Sequence, residues 1–238
     1  MKRVFAKLKN TIEKNFGVKI FRQSLPFGTS LQYDLKKFFP SHTFSVVFDI
    51  GANIGQTATE YATHFNKATI YSFEPVNETY KILKQNVAQY KNVIPCQIAF
   101  GESSGNLSIY LKEDSRLNSI EDSQNSIGKE VIVVETIDNF LSEKNINCVD
   151  FLKIDTEGLD KNILVGAAQS LKSKKINFIQ VEAGFGESNH VGIDNFLSFL
   201  SPLGYALFGI YEQQPFWSGE PWLMYSNIVF VRKSLFTK

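Results

Sequence analysis

From Phe44 onward, short apolar runs alternate with stretches whose apolar residues recur at helical spacing. The run FSVVFDI is typical of a strand buried on both faces, and Ala58, Tyr61, Ala62 and Phe65 after it have amphipathic-helix spacing. Later strand-like runs are, in chain order, ATIYSFE, VIPCQIAF, CVDFLKID and INFIQVE. Strands that alternate with helices predict a doubly wound, mostly parallel α/β sheet whose ligands bind at the carboxyl ends of its strands.

The last two strand-like runs refine this fold. YALFGI and NIVFVR are too close together for a helical crossover, so they predict an antiparallel pair. Such a terminal pair distinguishes the seven-stranded, Rossmann-like methyltransferase sheet from the dinucleotide-binding sheet. Between Gly101 and Asp150, NLSIYL and VIVVET predict two further strands around a polar excursion. A single helix is predicted after CVDFLKID, because its apolar residues from Leu159 to Leu171 recur at helical spacing.

The first 40 residues differ in composition from the rest. In MKRVFAKLKNTIEKNFGVKIFR, Glu13 is the only acidic residue among many lysines and arginines. Apolar residues from Val4 to Phe16 recur near helical spacing, which predicts a basic amphipathic helix. We therefore expect a basic helical segment, residues 1–40, and a methyltransferase domain, residues 41–238. The helix either packs over the domain or, through residues 1–22, docks on a membrane surface or a partner.

Composition excludes several classes of protein. The chain has 25 basic and 24 acidic residues, a net charge of +1, which gives no support to a nucleic-acid binder. Cys96 and Cys148 have no paired spacing, so neither a disulfide framework nor a zinc site is expected. We expect a reducing compartment instead. No apolar run is long enough for a membrane span or a signal peptide. The expected location is the cytoplasm, with the inner face of the membrane as the alternative.

The turn VVFDIGANIG begins with a carboxylate, Asp49, and this is the first indication of the ligand. A dinucleotide-binding turn reads GxGxxG and offers backbone N–H groups to a pyrophosphate, which Asp49 would repel. S-adenosylmethionine (SAM) carries a sulfonium and an α-ammonium, so a carboxylate suits it. Gly51 and Gly55 permit close backbone approach, and Asn53 tolerates the left-handed conformation. These four residues are candidate SAM contacts, although an acid followed by glycines also occurs in ordinary turns.

Two further positions extend the predicted cofactor site. Glu74 ends the second strand in YSFEP, where a carboxylate can accept hydrogen bonds from both ribose hydroxyls. The alternative is a solvated loop glutamate. In AFGES, taken as the end of the third strand, Glu102 or Ser103 is the candidate for the adenine amino group, although acidic turn residues are common.

The segments FDIGANIGQTA, YSFEPVNETYKILKQNV, IAFGESSG and DFLKIDTEGLDKNILVGA occur in the order and spacing of a known family. From about Gln32 to Arg232 the chain resembles FkbM-type SAM-dependent methyltransferases, and LKIDTEG is the most distinctive block. The resemblance implies a class I methyltransferase fold and methyl transfer to oxygen, commonly on a sugar or polyketide hydroxyl. The chain departs from the family at Asp160, where a glutamate is usual. The shorter carboxylate alters the pocket if it contacts substrate, and changes nothing if it caps the helix.

The LKIDTEG block also supplies catalytic candidates. Lys153 and Asp155 point to the same sheet face by strand alternation, and a lysine in an apolar central strand requires a partner. Asp155 is the first candidate for the general base, Glu157 the second, and His190 in VEAGFGESNH the third. Lys153 would orient Asp155 and keep it ionised. The alternatives are a purely structural ion pair and an exposed loop histidine.

The predicted function is SAM-dependent O-methylation of a carbohydrate, glycolipid or secondary-metabolite hydroxyl. The alternative is a non-catalytic SAM- or glycan-binding module. A nucleic-acid methyltransferase is disfavoured, because IDTEG stands where an Asn/Asp-Pro-Pro-aromatic segment would be expected. Asp155, Glu157 and Glu182 offer oxygen ligands to Mg²⁺, but a metal is not favoured and no metal ligand is assigned. Candidates for the acceptor pocket are residues 115–129 and 184–192, with Tyr211, Phe216, Trp217 and Trp222.

Overall fold

The computed structural model of the chain describes residues 2–21, 24–115, 118, 126–156, 158–185, 188, 190–215 and 222–236. The chain forms two compact units, Met1–Pro40 and Ser41–Lys238.

The first unit contains two helices. Helix α1 (Lys2–Phe16) is the predicted basic helix, and it exposes Leu8 (56%) and Phe16 (75%). Helix α2 (Leu31–Phe38) begins after Ser30, whose Oγ accepts a hydrogen bond from the backbone N–H of Tyr33. This cap satisfies one of the N–H groups that the first turn of a helix leaves without an intrahelical partner.

The second unit contains two sheets and the remaining helices. Its strands are β1 (Val46–Ile50), β2 (Thr69–Phe73), β3 (Val93–Cys96), β4 (Ala99–Phe100), β5 (Gly105–Leu111), β6 (Gly128–Glu135), β7 (Val149–Ile154), β8 (Ile176–Gly184), β9 (Tyr205–Pro215) and β10 (Leu223–Arg232). Its helices are α3 (Gln56–His64), α4 (Asn77–Asn86), α5 (Ile137–Glu143), α6 (Asp160–Val165), α7 (Ala168–Lys172) and α8 (Ile193–Leu200), followed by a short 3₁₀ helix (Lys233–Leu235).

The main sheet has seven strands in the order β3-β2-β1-β7-β8-β10-β9. All its neighbours are parallel except β10, which is antiparallel to both β8 and β9. The predicted doubly wound sheet and its terminal antiparallel pair are therefore confirmed. From β1 the chain proceeds to β2 and β3 on one side, and it returns at β7 on the other side. The carboxyl ends of β1 and β7 thus form the topological switch point, where such sheets bind ligands.

Aromatic residues hold helices against both faces of the sheet. On one face, Tyr61 of α3 lies with its ring centroid 5.8 Å from that of Phe151 of β7. On the other face, Phe140 of α5 packs against Phe48 at 5.7 Å and Phe73 at 5.2 Å. Covering both faces explains why β1 and β7 read as continuous apolar runs, since neither face of these strands meets water.

Two sequence predictions are wrong in detail. The segment VIPCQIAF is not one strand, because β3 ends at Cys96 in the main sheet and β4 pairs with β6 in a three-stranded sheet ordered β4-β6-β5. β3 is an edge strand, which accommodates Pro95 and lets the chain leave the sheet. The helix expected from Leu159 to Leu171 is divided into α6 and α7 around Gly166. A Cβ at Gly166 would lie 2.0 Å from the carbonyl oxygen of Gly101, so the backbones meet there too closely for any side chain.

Candidate active site

A row of buried polar side chains crosses the main sheet just before the carboxyl ends of its strands. Ser72 on β2, Asp49 on β1, Lys153 on β7 and Gln180 on β8 are direct register partners, so they share one face. Their residues are between 0% and 5% exposed. Asp49 and Lys153 were predicted from the sequence, whereas Ser72 and Gln180 were missed. The sequence did contain a signal for these two residues. Each of the four strands has a single polar residue near the end of an otherwise apolar run.

Lys153 binds two carboxylates in the middle of this row. Its Nζ lies 3.1 Å from Oδ1 of Asp49 and 3.2 Å from Oδ2 of Asp155. Burial lowers the pKa of Lys153, but the two carboxylates outweigh burial and hold that pKa above its ordinary value. Burial raises the pKa of Asp49, and the ammonium of Lys153 opposes that rise. Lys153 therefore remains charged and brings the ends of β1 and β7 together electrostatically.

The second carboxylate oxygen of Asp49 is buried and lacks a partner within the described residues. Oδ1 is bonded to Lys153, but no hydrogen-bond donor in the part of the chain that the structure describes reaches Oδ2. Leaving a buried polar atom unsatisfied costs about 1–3 kcal/mol, and more when the group is charged. This atom at the switch point is suited to a positively charged hydrogen-bond donor from a ligand.

The loop that follows β1 contains three residues in the left-handed region. Gly51, Asn53 and Gly55 have φ values of 76°, 48° and 95°. Asn53 therefore adopts the left-handed conformation that its residue type was expected to tolerate. A Cβ at Gly51 would lie 1.8 Å from the carbonyl oxygen of Asp155. The absence of a side chain at Gly51 therefore allows the loop to pack against the backbone at the end of β7. The close approach predicted at this glycine is thus one between two segments of the protein's own backbone. Oδ1 of Asn53 accepts a hydrogen bond from Oγ of Ser115 at 2.9 Å, which connects the polar excursion to this loop.

Glu74 is 7% exposed, so the solvated-loop interpretation of this residue is wrong. Its carboxylate accepts hydrogen bonds from the backbone N–H groups of Val76 (3.0 Å) and Asn53. Burial is the main cause that raises the pKa of Glu74 to about 7, with smaller contributions from the carboxylates of Glu130 and Asp49. The hydrogen bond from Asn53 connects Glu74 to the loop from Gly51 to Gly55.

Glu102 and Ser103 lie in an exposed turn that follows β4. Their assignment relied on VIPCQIAF being one strand of the main sheet, and that premise is wrong, because β4 belongs to the smaller sheet. The proposed contact with adenine stays a prediction.

A second ionisable pair lies near the carboxyl end of the neighbouring strand, β8. Nδ1 of His190 lies 3.1 Å from Oε2 of Glu182, with side-chain exposures of 11% and 13%. The His190 ring packs against the Tyr225 ring of β10 at a centroid distance of 4.7 Å. Gln180 and Lys153 are register partners, and Glu182 and Asp155 follow them by two residues each. Both acids therefore lie near the carboxyl ends of adjacent strands, on the same face.

Asp160, the departure from the family pattern, connects these two strand ends. Its Oδ1 accepts hydrogen bonds from N (3.0 Å) and Oγ1 (2.6 Å) of Thr156, and its Oδ2 accepts one from the backbone N–H of Glu182 (3.2 Å). Asp160 is 1% exposed, and burial raises its pKa to about 6. All of these contacts are internal, so Asp160 acts as a structural connection between the loop after β7 and β8.

The remaining predicted residues are either not described by the structure or lie where no contact with this cluster is recorded. Glu157, Phe216 and Trp217 lie outside the described residues. Trp222 is 57% exposed, and Tyr211 is buried. Within the described ranges, no three His, Cys, Asp or Glu side chains converge as metal ligands would.

The family is decided by a match within this region of the chain. The model of the methyltransferase FkbM domain matches residues 49–207, which is more than half of the chain and runs from Asp49 through β7 and β8 into β9. The chain belongs to the FkbM methyltransferase family. The predicted family is confirmed, and the topology confirms the predicted methyltransferase fold.

Two curated relatives of this FkbM protein are named as sugar-modifying or O-methylating enzymes. It is 29% identical over 153 residues to the hexuronic acid methyltransferase AglP of Haloferax volcanii, covering 63% of this chain and 57% of that protein. It is 24% identical over 153 residues to the 2-O-methyltransferase NoeI of Sinorhizobium fredii, covering 58% of this chain and 62% of that protein. The chain thus spans about six-tenths of the length of each relative.

Solved structures that resemble this chain at low identity include two that hold SAM or its product. TrmK of M. capricolum, in complex with S-adenosylhomocysteine, has a TM-score of 0.48 and 12% identity, covering 88% of this chain and 70% of that chain. Fibrillarin of Aeropyrum pernix, with natively bound SAM, has a TM-score of 0.49 and 12% identity, covering 80% and 67%.

Proposed function

We propose that this protein transfers a methyl group from SAM to a hydroxyl group of a sugar. The observation that carries the proposal is the Asp49–Lys153–Asp155 cluster, which lies at the switch point of an FkbM domain and has one unsatisfied carboxylate oxygen.

The residues around the switch point fit SAM. Oδ2 of Asp49 would accept a hydrogen bond from the α-ammonium, and the Glu74 carboxylate would accept hydrogen bonds from the ribose hydroxyls. The loop from Gly51 to Gly55 would lie along the cofactor, and Glu102 or Ser103 would contact its adenine. When bound, SAM supplies a methyl group that is already activated by its sulfonium.

The chain's own residues would then orient the acceptor and receive its proton. An aliphatic hydroxyl is a weak nucleophile until its proton begins to leave, so a positioned base contributes roughly 10²–10⁴-fold to the rate. Asp155 is the first candidate for this base, Glu157 the second and His190 the third. Lys153 would orient Asp155 and keep it ionised.

The acceptor class is supported by the names of the relatives. One is named for methylation of a hexuronic acid, and the other for 2-O-methylation. We propose that the acceptor is likewise a sugar hydroxyl, approached through the segment near Ser115 and the loop from Gly184 to Gly192. The contact between Ser115 and Asn53 supports this position for the first segment.

The first unit suggests where a glycolipid acceptor would be met. α1 presents exposed Leu8 and Phe16, and it carries the basic residues identified in the sequence. Within the described residues, no helix is long and apolar enough to cross a membrane. We propose that this unit binds peripherally to anionic lipid, which attracts clustered lysines and arginines.

The test combines calorimetry with a transfer assay on the full chain. We expect SAM to bind, and S-adenosylhomocysteine to form when oligosaccharides containing hexuronic acid are added, with the methyl group located on oxygen by mass spectrometry and NMR. The same oligosaccharides with the candidate hydroxyl removed serve as the control. SAM binding without transfer to any hydroxyl would identify a binding module instead. Transfer to an amine or a carboxylate would contradict O-methylation.

A further inference from the structure

We propose that His190 is the base that receives the acceptor's proton, and that Glu182 is the residue that positions it. The inference rests on the proposed function and adds a role for Glu182. Oε2 of Glu182 lies 3.1 Å from Nδ1 of His190, and both side chains are nearly buried. A neutral imidazole that donates from Nδ1 to this carboxylate has its acceptor lone pair on Nε2. The pair therefore fixes which nitrogen is basic.

The position of the pair is itself fixed by several contacts. The backbone N–H of Glu182 donates to the buried Asp160, and Tyr225 packs against the His190 ring. The loop that carries His190 is closed at its base, where Gly184 N–H donates to the carbonyl oxygen of Val191 at 3.0 Å. Because these contacts restrain Glu182, the His190 ring and the base of the loop, the pair loses little entropy on reaching a reactive geometry.

The energetics of proton uptake favour His190 over Asp155. Asp155 is already paired with the charged Lys153. Protonating Asp155 would remove one of the two carboxylates that compensate a buried ammonium, which is unfavourable. Protonating His190 has the opposite consequence, because the hydrogen bond from a neutral imidazole to the Glu182 carboxylate becomes an ion pair. Asp155 is therefore better suited to holding Lys153 and the cofactor end of the site.

The acceptor hydroxyl gives its proton to Nε2 of His190, and the oxygen lone pair forms the new O–CH₃ bond. The S–CH₃ bond of SAM breaks, and its electron pair remains on sulfur, giving S-adenosylhomocysteine. His190 later releases the proton to solvent.

The pH dependence of the rate should report this pair. Glu182 on β8 and Tyr225 on β10 contact His190 directly. Asp160 on α6 accepts from the backbone of Glu182, and Glu212 on β9 accepts from Asn227, the register partner of Glu182 on β10. Asp155 follows the adjacent strand, β7. Removing the Glu182 charge removes stabilisation of the imidazolium, so the acidic limb of the profile should move to lower pH.

The experiment measures pH–rate profiles of the full chain with a confirmed acceptor. We expect His190→Gln to lower kcat about 10²–10⁴-fold, while the Kd for SAM from calorimetry changes less than about threefold. Glu182→Gln should lower kcat about tenfold and shift the acidic limb by about one pH unit. Glu182→Asp should recover part of the rate. The matched control is Glu60→Gln, which removes an exposed His–Glu pair (His64 to Glu60, 3.9 Å) and should change nothing.

A second readout needs no cofactor. The chain has three histidines, so single substitutions assign their ring NMR signals. The titration midpoint of His190 should move to lower pH in Glu182→Gln and stay unchanged in Glu60→Gln. An unchanged midpoint would overturn the pairing. Retained turnover in His190→Gln, with loss in Asp155→Asn, would overturn the base assignment but not the proposed function. A wild-type chain that methylates no hydroxyl would overturn both.

Discussion

Lys153 is buried between two carboxylates at the centre of the main sheet, and this arrangement is costly to disturb. Taking an ammonium out of water is unfavourable unless opposite charges compensate it, which Asp49 and Asp155 do. Among the described residues, Lys153 is the only hydrogen-bond partner of the Asp49 carboxylate. Removing the lysine alone would leave a buried carboxylate without compensation.

We therefore expect Lys153→Met to lower the free energy of unfolding by about 3–5 kcal/mol, measured by urea denaturation. The double variant Asp49→Asn/Lys153→Met should recover a large part of that loss, because no charge then remains uncompensated inside the sheet. Its SAM affinity should stay low. Equal instability of the single and double variants would mean that packing, and not charge, dominates at this position.

If Glu74 binds the ribose as proposed, we expect SAM affinity to depend on pH. Its pKa is raised to about 7 in the free protein, and hydroxyl donors of the ribose would favour the ionised carboxylate. Binding therefore releases a proton from the fraction of protein in which Glu74 is protonated. Affinity should be fully present above pH 7 and should fall about tenfold for each pH unit below it, as measured by calorimetry.

Glu74→Gln should remove that dependence and bind SAM about ten- to hundredfold more weakly at pH 8. Glu78→Gln is the control, since Glu78 is an exposed carboxylate paired with Lys81 on α4. A wild-type affinity that is flat from pH 6 to 8 would argue against Glu74 as the ribose ligand.

At the scale of elements, the loop between β1 and α3 depends on the contact of Gly51 with the end of β7. Gly51→Ala would combine a positive φ with a Cβ placed 1.8 Å from the carbonyl oxygen of Asp155. Gly204→Ala is a matched control, with a φ of 83° and contact only with the flexible end of Lys174. We expect a loss of about 1 kcal/mol for Gly204→Ala and about 3 kcal/mol or more for Gly51→Ala, by urea denaturation.

The same comparison tests what holds the loop between β1 and α3 in place. Gly51→Ala should also abolish SAM binding, because the loop can no longer lie against β7. Similar losses in the two variants would show that backbone conformation alone, without the close approach to Asp155, explains the glycine.

At the scale of the whole molecule, the first unit predicts binding to anionic vesicles. Lys14 and Lys19 are exposed in and after α1, near the exposed apolar Phe16. Each lysine near an anionic surface contributes about 1 kcal/mol, so Lys14→Glu/Lys19→Glu should weaken vesicle sedimentation at least about tenfold. Lys84→Glu/Lys91→Glu makes the same charge change on exposed residues of the second unit and should have little effect.

Salt provides an independent check on this prediction. Binding should decrease steeply as ionic strength rises, since exposed charges are screened beyond about 8 Å at physiological salt. Wild-type protein that remains in the supernatant with anionic vesicles at low salt would contradict membrane contact.

The sequence by itself determined the main sheet and several of the charged residues at its switch point. Apolar runs alternating with amphipathic helices specify a doubly wound fold, because burial on both faces requires continuous apolar strands. Strand alternation was enough to place Lys153 and Asp155 on one face. The order of the strands then brings Asp49 to Lys153, since the carboxyl ends of parallel strands meet at one edge.

Tertiary structure alone decided the remaining features. The break between β3 and β4 and the division of α6 from α7 depend on which backbones meet, such as Gly166 against Gly101. Strand register places Ser72 and Gln180 in the buried polar row. The closure of the loop after β8 brings His190 to Glu182. Local patterns encode the direction in which a side chain points. The distance between residues far apart in the chain is set by register, packing and loop closure, and these are properties of the folded chain.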